Sequence, residues 1–192
     1  MSGDERREQL LDVTAELIAE RGFQGVTILA VAQRAAISRP IVYEHFGDLR
    51  GLLEAVVTRE MGRALIQVSE SALVQLNAGN PVELLLQSLG TYLRAVEHYP
   101  HTWRLVLMPP EGAPENLRQS IVLGRAGVLR RLTEAVAAGL PAEDESPDAE
   151  LTARILSTIA DEYARLILTD PASYTAERLL AHARWFLEQF PA

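Results

Sequence analysis

Residues 20–46 read ERGFQGVTILAVAQRAAISRPIVYEHF. Two short helical segments lie in this stretch, separated by a tight turn. Thr27 is a candidate N-cap, and Ile28, Val31, Ala32 and Ala35 then recur on one face of a helix from Ile28 to Ala35. Ala36-Ile37 interrupts the pattern and leads to Ser38, a second N-cap candidate. Arg39 to His45 forms the next short helix. Pro40 is tolerated in its first turn, where the missing N–H would have no intrahelical partner. Gly47 ends it. Two such helices make a helix-turn-helix, whose second member suits a DNA major groove about 12 Å wide.

Upstream, Asp4 to Arg21 reads as an amphipathic helix. Leu10, Val13, Leu17 and Ile18 make one apolar stripe, Asp4 is the candidate cap and Gly22 the stop. Downstream, Asp48 caps a longer helix from Leu49 to about Asn77. Asn77 to Pro81 breaks the chain, and Asn80, Pro81 and Glu83 open a helix to about His98. Four prolines (Pro100, Pro109, Pro110, Pro114) surround a short apolar segment, Trp103 to Met108. A helix over Pro114 to Ala138 and an acidic loop over Pro141 to Pro147 follow. Ser146-Pro147 opens a helix to about Thr169, and Thr175 to Phe190 forms the last. No strand is expected. The pattern predicts an all-α protein of about nine helices. Residues 1–48 form a three-helix DNA-binding domain, and residues 49–192 a larger helical domain.

The composition agrees. Of 192 residues, 48% are apolar, enough for a sizeable core, and only 6% are aromatic. Ala and Leu dominate, and both favour helices. Cysteine is absent, which excludes disulfides and thiolate chemistry. The formal net charge of -8 speaks against a nucleic-acid binder on average. Locally it does not, because Arg21, Arg34 and Arg39 precede Tyr43 with no acidic residue among them. No apolar run reaches about 18 residues, so no membrane span is expected. Met1 to Gln9 carries no signal-peptide core, so a cytoplasmic protein is expected. His98 and His101 flank Pro100 and do not share a helix face. No metal site, cofactor or catalytic grouping is expected, and none of the patterns points to an enzyme.

The order of residues from Glu20 to Thr27, Val31 to Ser38 and Val42 to Phe46 resembles the DNA-binding signature of the TetR/AcrR transcriptional regulators, over roughly residues 8–57. The resemblance implies phosphate contacts from Thr27, Tyr43 and His45. It implies a groove-facing start at Ser38, Arg39, Pro40 and Ile41, and an aromatic anchor at Phe46. Four positions depart from the family pattern. Ala36 stands where glycine is usual, Ile41 where threonine is frequent, Glu44 where a basic residue is frequent, and Leu49 where lysine is common. Arg50 is the candidate replacement for that lysine. These departures predict fewer phosphate contacts and salt-sensitive binding.

For the remaining two-thirds the resemblance implies a ligand-binding and dimerising domain. Tyr92, His101, Trp103, Arg104, Met108, Arg125 and Tyr163 are the candidates for a mostly apolar pocket with a few polar points. Asp161-Glu162 offers negative charge within an apolar helix. The last two helices carry apolar residues on more than one face. Ile155, Ile159, Tyr163 and Leu166 lie together, as do Leu179, Ala183, Phe186, Leu187 and Phe190, which points to a homodimer through those helices. The expected function is a repressor released from a palindromic double-stranded DNA operator by a small molecule. The competing expectation is a helical ligand sensor or adaptor that has lost DNA binding.

Overall fold

The computed structural model describes residues 2–70, 80–139 and 148–189. Among these, nine α-helices and one 3-10 turn make up all the regular structure: α1 (Gly3–Arg21), the 3-10 turn (Phe23–Gly25), α2 (Ile28–Arg34), α3 (Arg39–Phe46), α4 (Leu49–Glu70), α5 (Pro81–His98), α6 (Pro100–Leu107), α7 (Glu115–Gly139), α8 (Ala149–Thr169) and α9 (Ala176–Glu188). The expected all-α class holds. Asn77, Ser146, Pro147 and Phe190 lie outside the described residues.

Local chemistry accounts for most helix ends. Thr27, Asn80 and Thr175 each accept a backbone N–H one turn in. Asp48 Oδ1 accepts from Gly51 N at 2.7 Å. Three expected caps differ. α1 is capped by Ser2 rather than Asp4, because Ser2 and Glu5 form a reciprocal capping box. Ser38 occupies the N-cap position of α3, but its side chain makes no capping bond. α8 starts on Asp148, whose carboxylate accepts from Glu150 N and Leu151 N.

The chain divides into two compact units, Met1–Ala64 with His101–Ile121, and Leu65–Pro100 with Val122–Ala192. In the first, Leu10, Leu17, Ile18, Val31, Val42 and Leu52 are buried in one cluster that also takes in Val56, Leu105 and Leu117. The division expected at residue 48 lies inside this unit, because Leu52, Val56, Val57 and Met61 of α4 help complete its core. A charged network adds to it. Glu60 is buried, and its carboxylate accepts from the Thr102 hydroxyl, from Arg59 Nε at 2.9 Å and from Arg63 at 3.2 Å. Arg59 also meets Glu8 at 3.0 Å and Asp12 at 2.8 Å, so α1, α4 and α6 share one ionic cluster. Burial opposes the charge on Arg59, but its acidic neighbours outweigh that and hold it protonated.

In the second unit α5 packs on both α8 and α9. Leu86, Leu93 and Val96 of α5, Ala164, Ile167 and Leu168 of α8 and Leu179 of α9 are among the unit's buried side chains. Gly90 allows a close approach, since a Cβ there would lie 3.0 Å from Leu180 Cδ2. The Glu97 carboxylate accepts the unpaired Ala176 N–H at the start of α9, and Arg184 pairs with Glu83 through two contacts of 2.8 and 2.9 Å.

The turn between α2 and α3 is a Schellman motif. Ile37 N donates to Ala32 O at 2.9 Å and Ala36 N to Gln33 O at 3.2 Å. The motif places Ala36 at φ 55, the left-handed region that favours glycine. We expect Ala36→Gly to stabilise the protein by about 0.5–1 kcal/mol, the relieved strain less the entropy glycine adds to the unfolded chain. Urea midpoints measure it. A midpoint unchanged or lowered would mean Ala36 bears no strain.

Candidate nucleic-acid interface and interior polar cluster

α3 has one fully buried side chain, Val42, and shows its opposite side to solvent. Arg39, Pro40, Tyr43 and Glu44 are exposed. At 100° per residue, positions 39 and 43 lie close in angle, as do 40 and 44, so the four share one face. Ile41 and His45 are half-buried at the edges of that face. Thr27 and Ser38 are exposed at the starts of α2 and α3. The eight residues singled out for DNA therefore include Thr27, Ser38, Arg39, Pro40 and Tyr43 in the open, with Arg50 in the open but paired to Glu54 at 2.8 Å.

The far end of α3 is held by a residue with no local sequence signal. Arg7 lies with its guanidinium 4.5 Å from the centre of the Phe46 ring and donates to the His45 carbonyl at 3.0 Å. A cation against the final carbonyls of a helix is favourable, and so is one over an aromatic face. Phe46 packs against the core, as an anchor should.

The local run of arginines is not a free positive patch. Arg34 pairs in two-pronged fashion with Glu20 at 3.0 and 2.8 Å, and Glu16 lies 3.6 Å away. The hydrogen bond from Arg34 lowers the pKa of the Glu20 carboxyl. Arg21 lies 3.9 Å from the same carboxylate.

The seven ligand candidates do not converge on one place within either unit. His101, Trp103, Arg104 and Met108 belong to the first unit, and Tyr92, Arg125 and Tyr163 to the second. Trp103 is buried, while His101 and Met108 are exposed. Tyr92 and Arg125 meet at Asp161. The Tyr92 phenol is hydrogen-bonded to the Asp161 carboxyl, with Arg125 at 3.6 Å and Arg165 at 3.8 Å. Tyr163 instead pairs with His182, its hydroxyl 2.6 Å from Nδ1. Burial pushes the Tyr92 phenol far above its ordinary range. It also raises Asp161 above its ordinary value of 3.8, although the two arginines and the phenol pull the other way. Asp161 was legible as an acidic residue in an apolar helix, whereas Arg165 and His182 had no sequence signal. Among the described residues no group of His, Asp and Glu could hold a metal ion, and no helix is long and apolar enough to cross a membrane.

On α8 and α9 the apolar residues divide between buried and exposed positions. Ala153, Ala164, Ile167 and Leu168 are buried, while Leu151 is 59% and Ile155 61% exposed. On α9, Leu179 and Ala183 are buried, and Trp185 and Phe186 are 56% and 40% exposed.

Residues 10–56 match the family model described as bacterial regulatory proteins, tetR family. The HTH-type transcriptional regulator BetI of Burkholderia ambifaria is 49% identical over 65 residues, 32% of this chain and 34% of that protein. The matched segment thus spans about a third of the length of that curated relative. Two solved structures share the fold along the whole chain. FadR from Bacillus subtilis, in complex with stearoyl-CoA, superposes with a TM-score of 0.65 at 18% identity, covering 94% of this chain and 95% of that one. A putative transcriptional regulator from Saccharomonospora viridis, in complex with choline, gives 0.69 at 19% identity, with 97% of each chain covered.

The raised Asp161 carboxyl sets a pH dependence with a definite sign. The folded state holds this proton more tightly than the unfolded state, so the favourable contribution is present below the ordinary value and lost as pH rises. Asp161→Asn has no such loss. Its urea midpoint relative to wild type should rise between about pH 4 and about pH 7. A difference that is flat or shrinks over that window would contradict the assignment.

Proposed function

We propose that this chain is a member of the TetR family of bacterial regulatory proteins and a cytoplasmic transcriptional repressor that a small molecule releases from a palindromic operator. One observation carries the reading. α3 is seated by Val42 and turns Arg39, Pro40 and Tyr43 outward, the presentation a recognition helix needs in a major groove. In this reading Ser38, Arg39, Pro40 and Ile41 face the groove. Thr27, Tyr43, His45 and Arg50 lie beside the phosphates. DNA contact belongs to residues 1–48, with the first turns of α4 supporting it. The protein carries no catalysis and needs no cofactor.

Reading a palindrome requires two copies. The apolar side chains of Leu151, Ile155, Trp185 and Phe186 on α8 and α9 favour a homodimer, since a monomer rarely exposes so much large apolar surface on adjacent elements. The effector is a small molecule with an apolar body and a polar group. Solved structures of this fold hold ligands as unlike as stearoyl-CoA and choline, and ligand choice follows the side chains lining each protein's own site. Tyr92, Arg125 and Asp161 are the polar anchor of that site. The ligand would favour a conformation whose two recognition helices no longer match successive major grooves.

The exposed carboxylate of Glu44 favours one other reading, a dimeric ligand sensor without DNA affinity, because Glu44 repels phosphate. Fluorescence titration of the full chain against the DNA upstream of its own gene separates the two. Saturable, sequence-selective binding that weakens as salt rises is expected, and it should be lost in a Leu151→Glu/Ile155→Glu variant that sediments as a monomer. A dimer with no selective binding at low salt would leave the sensor reading.

A further inference from the structure

The arginines of the first unit are unequally available. Arg34 is locked to Glu20, Arg50 to Glu54, and Arg59 and Arg63 to Glu60. Arg7 is committed to Phe46 and the His45 carbonyl. Arg39 is exposed and has neither an ion pair nor a hydrogen bond among the described residues. A guanidinium free of acidic partners presents its whole fork of donors to a ligand.

The backbone beside it has little to give a phosphate. Pro40 has no N–H, and Ile41 N already donates to Ser38 O at 3.1 Å. The leading end of α3 therefore speaks through side chains. Ser38 keeps its hydroxyl out of any capping bond, Pro40 is exposed, and Ile41 is half-buried with an apolar side chain. In a major groove an arginine fork matches the O6 and N7 acceptors of guanine. Apolar atoms can read only the methyl group of thymine.

We propose that α3 reads a guanine with the Arg39 fork beside a thymine whose methyl packs on Pro40 and Ile41, so that Arg39 confers sequence choice rather than backbone grip. The inference rests on the regulator reading above. It predicts an operator half-site with one indispensable G·C pair flanked by a T·A pair, and it leaves phosphate holding to other residues.

The test uses the full chain and DNA selected from a random-sequence pool. Each selected guanine is replaced in turn by 7-deazaguanine, which lacks N7, and each thymine by uracil, which lacks the methyl. One guanine should lose about 2- to 12-fold in affinity on replacement, half the free energy of one bidentate pair because O6 remains, and that loss should vanish in Arg39→Ala. One neighbouring thymine should lose about 4-fold, the worth of one buried methyl. The slope of affinity against salt should be the same for Arg39→Ala as for wild type, because no phosphate contact is removed. Arg39 is exposed, so the variant should keep the wild-type melting temperature. Arg39→Ala binding all sequences more weakly by one common factor, with a salt slope reduced by about 1, would overturn the proposal and make Arg39 a phosphate contact. Insensitivity of every thymine to uracil would overturn its apolar half. A wild-type chain that selects no sequence at all would overturn the regulator reading itself, and this inference with it.

Discussion

The short helix α3 hangs on one completely buried side chain. Of the eight residues of α3 only Val42 is fully buried, in the cluster that holds Leu10, Val31 and Leu52. A helix this short has no stability of its own, since isolated helices under about 12 residues are marginal in water. Its position is therefore set from outside. Val42 fixes the inward face, and the Schellman turn fixes the entry angle. Ile37 follows that turn into the core, and Arg7 closes the far end over Phe46. Ala36 is the cost of the arrangement, an L-residue held at φ 55 so that the turn can be short.

Much of the charge in the first unit is committed to internal pairs. The net charge is -8, and several acidic groups of the first unit are spent on neighbouring arginines. Glu16 and Glu20 of α1 neutralise Arg34, while Glu8, Asp12 and Glu60 gather Arg59 and Arg63. The exposed pairs of Arg34 with Glu16 and Glu20 contribute little to stability. What they change is availability, because they withdraw arginines from solution. The buried pair is different, since Glu60 binds α4 to α6 through Thr102, and removing one partner would strand a buried charge.

The second unit divides its helices into an inward and an outward apolar face. α8 buries Ala153, Ala164, Ile167 and Leu168 against its own unit, and leaves Leu151 and Ile155 open. Small residues inward let α5 approach closely, and Gly90 does the same beside Leu180. Asp161 interrupts this packing. Its carboxyl is held by a phenol and by two arginines at long range, a loosely satisfied group at partial burial. Such a group is suited to exchanging one partner for another.

The sequence by itself determined what depends on residues within one turn of each other. Most of the helices, the break at Ala36-Ile37, the caps at Thr27 and Asn80 and the stops at Gly22 and Gly47 were legible, because capping and turn chemistry are local. Where two local solutions competed, Ser2 outdid Asp4 by adding a reciprocal bond, and Asp148 capped α8 with two acceptor contacts. Only the tertiary structure decided which arginines are free, since Arg34 meets Glu20 across 14 residues of chain and Arg7 meets His45 across 38. It also assigned His101 and Trp103 to one compact unit and Tyr92 and Arg125 to the other, and it turned Ile155 outward. Burial and ion pairing are properties of the three-dimensional neighbourhood, and a periodic stripe says that a face is apolar without saying what covers it.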